Sequence, residues 1–157
     1  MGFAFFFFLS YLIVSMFIVM RKKLNIVENT FVFLLILFVN INVSWIIFEE
    51  LDLLTVTEDA MKYVGFLLNR SMILPMIIVV YLNLVNRSLK MFKKVLITII
   101  SISTVIIFSG ISILFDLITY VNWNFIYDAI YFGALHLLAF YAQKLFRKFT
   151  FHEVNYS

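Results

Sequence analysis

The chain begins MGFAFFFFLSYLIVSMFIVMRKK, residues Met1 to Lys23. An apolar run of about 18 residues, long enough to cross a bilayer, comes first and the basic triplet Arg21, Lys22 and Lys23 follows it. That order decides the class. A cleaved secretion signal carries its positive residues ahead of the apolar stretch and small residues at a cleavage point behind it. Here the positive residues come second, so the run reads as a retained membrane span. Its N-terminus is expected outside the cell and the triplet on the cytoplasmic side.

Composition extends this reading to the whole chain. Of 157 residues, 64% are hydrophobic and 13% charged, where a soluble domain has about half and about a quarter. Twenty phenylalanines beside one proline and four glycines cannot be hidden in a water-soluble core of this size. Apolar segments lie at roughly 3–20, 30–48, 64–85, 95–115 and 125–143, each near the length that crosses about 30 Å at 1.5 Å per residue. In lipid such segments must be helices, because an open strand's backbone groups would find no partner. The fold class expected is an all-α integral membrane protein, with residues 1–157 forming a single compact bundle of five transmembrane helices.

Charge sets the orientation. Ten of the twelve basic residues fall between spans one and two, between three and four, or after five (Arg21, Lys22, Lys23, Arg87, Lys90, Lys93, Lys94, Lys144, Arg147, Lys148). The opposite side carries Glu49, Glu50, Asp52, Glu58, Asp59 and Asp116, with Lys62 its one base. The positive-inside rule then predicts N-terminus outside and C-terminus cytoplasmic, in a plasma membrane of bacterial type. The tail after Lys144 is short for an effector domain, and no internal repeat or linker stands out.

Several chemistries are excluded. The basic residues serve as anchors at span ends and form no stripe interleaved with exposed aromatics, which argues against nucleic acid. Without cysteine there are no disulfides and no palmitoylation. No HExxH, GxSxG or P-loop is present, and the two histidines, His136 and an expected exposed His152, rule out a multi-histidine metal centre. The stretches EELDLL (49–54) and FGALH (132–136) share four residues with the EExxxR and FxxxH motifs of CAAX-type intramembrane proteases. Leu54 stands where that pattern needs arginine, so the chain is not identified with them. No cofactor or metal is expected.

Polarity inside the spans marks a candidate site. The stretch NRSMILPMIIVVYLN (69–83) places Arg70 in apolar sequence and breaks the run with Pro75. Intramembrane arginine is costly and usually paired or functional. Asp128 and Glu49 are the acids at similar depth, and Arg70 is expected to be held by Asp128, the alternatives being an anionic ligand or a guanidinium that snorkels to the outer headgroups. Pro75 is expected to kink span three and free the carbonyl of Ser71 beside Arg70 and Asn69. Asn42, Trp45 and Glu49 recur on one face of span two and are read as one wall of an outward-facing pocket. The stripe Thr98, Ser101, Val105, Ser109, Ser112 and Asp116, recurring at spacings of three and four on span four, suggests a packing seam.

The functional expectation is a non-enzymatic membrane module: a sensor input, immunity factor or accessory subunit working through helix contacts. By topology it is similar to the five-span input domains of some bacterial sensor proteins. Its expected partners are the lipid bilayer and a membrane protein or a second copy. The alternative is a small transporter or ion-pathway subunit working as an oligomer.

Overall fold

In the computed structural model the described residues are 1–153, with side chains to residue 150. The side chain of His152 lies outside them. Five helical segments are long and apolar enough to cross a membrane. The first is α1 (Gly2–Val19). The second is α2 (Ile26–Trp45), extended by a π-helical turn, Ile46–Glu50. The third is α3 (Ala60–Leu68), a second π-helical turn (Asn69–Ile73) and α4 (Leu74–Arg87). The last two are α5 (Met91–Leu114) and α6 (Phe125–Glu153). Helices α2 and α3 start ahead of their apolar segments, where side-chain caps extend them. Asn25 and Glu28 form a reciprocal capping box on α2, and Asp59 accepts from the Lys62 amide at the start of α3.

The two loops at the acidic end share a short sequence, Asp52-Leu53-Leu54-Thr55 and Asp116-Leu117-Ile118-Thr119. Both aspartates sit at positive φ, 48° and 52°, a conformation that Asp tolerates better than most residues. Each leads into a short strand, β1 (Leu54–Val56) or β2 (Ile118–Tyr120). These pair antiparallel with Thr55 opposite Thr119. The ribbon therefore has an approximate two-fold axis through its threonine pair. The helices obey the same axis: α2 packs on α4 as α5 packs on α6, and the α4–α5 contact is matched by α2–α6. A π-helical turn accommodates one extra residue. With that offset, buried Ile36, Asn40 and Ser44 of α2 and Ile47 of its π-helical turn correspond to buried Ser101, Val105, Ser109 and Ser112 of α5. The sequence showed no repeat because the match is four residues long. The pairing register exposes it.

Helix α1 stands outside this symmetry and packs chiefly on α3. Gly65 permits the contact, since a Cβ there would lie 3.3 Å from the Phe3 Cα. Small residues at such crossings let helix backbones approach closely.

The basic end is a polar network in which one buried atom, Gln143 Oε1, lacks a hydrogen-bond partner. Glu28 is buried, and its Oε1 accepts from Arg147 Nε at 2.6 Å and from Gln143 Nε2 at 3.2 Å. Asn83 accepts the backbone amides of Lys23 and Leu24 and donates to Asn29 Oδ1 at 2.7 Å. The α1–α2 loop is thus tied to α4 and α6. Glu28 carried no signal in the hydropathy reading, which began span two beyond it.

Candidate functional site

The acidic half of the bundle encloses a cavity of about 70 Å³, lined by Asn40, Ser44, Asn69, Arg70, Ser109, Trp123, Asp128 and Tyr131 among apolar walls. A volume of about 15 Å³ already admits a water molecule, so this space is not packing residue. Leu54 and Ile118 of the β-ribbon border it. The ribbon joins the two acidic-end loops and so fixes the cavity's rim.

Arg70 enters from the π-helical turn between α3 and α4. In that register the Leu74 amide bonds the carbonyl of Asn69, five residues back. The next donor would be residue 75, but Pro75 has no N–H. The carbonyl left over is that of Arg70, and Asn40 Nδ2 donates to it at 2.7 Å. Tyr131 in turn donates its hydroxyl to Asn40 Oδ1 at 2.5 Å. A side chain from α2 thus replaces the bond that proline removes, and α6 holds that side chain in place. The expected free carbonyl at Ser71 is replaced by this capped one at Arg70; Ser71 is half-buried and does not line the cavity.

The guanidinium itself is poorly matched. Its carbon lies 5.2 Å from the Phe66 ring centre, a cation–π arrangement. Its Nε is buried without a hydrogen-bond partner. The two ion pairs among the described residues are Lys62–Asp116 and Arg147–Glu28, so the expected Arg70–Asp128 pair does not form.

Asp128 has other partners. It is 4% exposed. Its Oδ2 accepts from Ser109 Oγ at 2.6 Å and from the Tyr120 hydroxyl, and its Oδ1 accepts from Trp123 Nε1 at 2.7 Å. Three neutral donors from α5, β2 and the following loop hold the carboxylate in place of a counter-charge. Burial first, and the bond to Asp128 second, push the Tyr120 phenol above its ordinary range.

The wall expected from α2 turns to a different face. Asn42, Trp45 and Glu49 are exposed, and Asn42 donates to the carbonyl of Phe38 on its own helix. Asn40 and Ser44 line the cavity instead. Two residues apart on a helix is about 200° of rotation, so Asn40 and Asn42 cannot both face inward. The hydroxyl criterion that picked out the α5 seam would have found Asn40 with Ser44. Asn69 does lie at the site and donates to Ser112 Oγ at 2.9 Å. Asp116, at the end of the α5 stripe, is exposed and meets Lys62.

A second polar contact lies deeper. His136 Nδ1 is 2.7 Å from the carbonyl of Phe132, and Nε2 is 2.8 Å from Ser101 Oγ. A carbonyl only accepts, so Nδ1 carries the proton and Ser101 donates to Nε2 in the neutral ring. The pair bonds α5 to α6.

No family model matches the chain, and neither a curated protein nor a solved structure matches it.

Proposed function

We propose that the chain is a non-enzymatic, multi-pass protein of a bacterial plasma membrane that recognises a small anionic group from outside and acts on a membrane partner through helix contacts. Its N-terminus is outside and its C-terminus cytoplasmic. The observation that carries this reading is the Arg70 guanidinium: it borders a cavity, its Nε is buried without a partner, and no carboxylate pairs with it. A half-buried cation with a buried donor left unpaired is costly, and an anion that reaches it makes a charge-assisted hydrogen bond. The same residue supplies the carbonyl capped by Asn40 at the π-helical turn. Occupancy at its side chain therefore bears on the segment that joins α3 to α4, which gives a sensor-input, immunity or accessory module a route to its helices.

A transport reading draws on polarity at three depths, Asp128, the Ser101–His136 pair, and the Glu28 network. Buried Val105 and Phe132 separate the first two, and buried Ala139 lies between His136 and Gln143 along α6. These apolar layers favour recognition over passage.

Thermal unfolding of the purified protein in lipid nanodiscs tests the anion site, with acetate and butyrate against acetamide and butyramide as probes. The carboxylates should raise the unfolding temperature of wild type and leave Arg70→Gln unchanged, while the amides do nothing. Equal shifts in Arg70→Gln would sink the reading. Orientation is tested separately in intact cells. Cysteines introduced at Thr55 and Asn122 should react with an impermeant thiol reagent and one at Ser88 should not; the reverse pattern would invert the topology.

A further inference from the structure

The anion reading uses one of the cavity's two charges. Asp128 borders the same space, and no N–O approach within 4 Å joins it to Arg70. Its Oδ2 already accepts two donors, whereas Oδ1 accepts only Trp123. An ionised carboxylate offers about four acceptor positions, so Oδ1 retains room for another donor. The half-buried cation opposite has one buried donor, Nε, without an acceptor. Two opposite charges in a low-dielectric site attract strongly, and here each is instead held on its own helix by separate neighbours: Phe66 and the π-helical turn for one, Ser109, Tyr120 and Trp123 for the other.

We propose that the ligand of this cavity is a small zwitterion, its ammonium donating to Asp128 and its carboxylate accepting from Arg70. This inference rests on the anion reading of Arg70 and adds the second pole. The chemistry favours a molecule with both charges over one with either alone. A simple anion would bring a second negative charge into the space that Asp128 borders, and a simple cation would face Arg70. A zwitterion completes both partners and enters with no net charge. The walls include Val105, Phe132 and Tyr131, and the space is about 70 Å³. These suit a short, unbranched spacer of few heavy atoms and exclude a bulky side chain.

The test is direct binding to the full-length protein in nanodiscs by calorimetry. The probes are glycine, β-alanine, γ-aminobutyrate and 5-aminovalerate, with butyrate and butylamine as single-charge controls. One member of the series should bind at least tenfold more tightly than either control, and its spacer length reports the separation of the two charges. Asp128→Asn can still accept from Trp123 and donate to Tyr120, so its unfolding temperature should stay near wild type. It should lose the tenfold preference while still binding butyrate. Arg70→Gln should lose both the zwitterion and butyrate. If butyrate binds as well as the best zwitterion and Asp128→Asn changes nothing, the second pole is wrong and the anion site stands. If Arg70→Gln binds every probe as wild type does, or no probe binds at millimolar concentration, both readings fall.

Discussion

Each end of this bundle buries an acid and brings an arginine near it, and the two ends treat that pair in opposite ways. At the basic end Arg147 meets Glu28 at 2.6 Å, and Gln143 and the Asn25 amide also donate to that carboxylate. At the acidic end three neutral donors hold Asp128, Arg70 has no acid, and a cavity lies between their helices. Charges that hold a fold together are brought into contact. Charges kept apart beside empty space are left available, and the difference separates fastening from recognition using the same residue types.

The largest effect should come from breaking the basic end. Arg147→Leu strands a buried Glu28 and should lower stability by about 3 kcal/mol, toward the smaller side for a buried pair because Arg147 is partly exposed. Glu28→Gln in that background should restore much of the loss in a detergent unfolding assay. At the open end the residues that shape the cavity should matter next. Asn40→Leu leaves the Arg70 carbonyl and the Tyr131 hydroxyl without their partner and should cost about 2 kcal/mol. An unchanged midpoint would mean that the proline gap is bridged some other way. Tyr120→Phe removes one of three donors to Asp128 and should cost about 1 kcal/mol, read in the same assay.

The helices were legible from the sequence because hydropathy reports directly on what lipid will accept, and the five segments sit where their apolar runs are. Arg70, Asp128, Asn69 and Pro75 were legible as a site because each is an exception to that rule. Their partners were not. Whether Arg70 meets Asp128 depends on rotation about two helix axes, and the π-helical turns at Ile46–Glu50 and Asn69–Ile73 each shift that rotation by a residue without any sign in composition. The same shift hides the correspondence between α2 and α5. Asn40 and Ser44 were overlooked in favour of Asn42, Trp45 and Glu49 because proximity to the polar loop outweighed helical phase. Tyr120 and Trp123 reach Asp128 only through the β-ribbon loop, and strand pairing between two distant three-residue segments leaves no local pattern to read.

The separation of the two ends is tested most directly by the unfolding temperature of Arg70→Leu beside that of Arg147→Leu, in detergent and without added ligand. Removing Arg70 forfeits a cation–π contact but also removes a partly buried charge that no carboxylate neutralises. Arg70→Leu should therefore unfold at or above the wild-type temperature while Arg147→Leu unfolds well below it. If Arg70→Leu falls as far as Arg147→Leu, Arg70 is a structural charge with a partner of its own, and the acidic-end cavity is not kept open for a ligand.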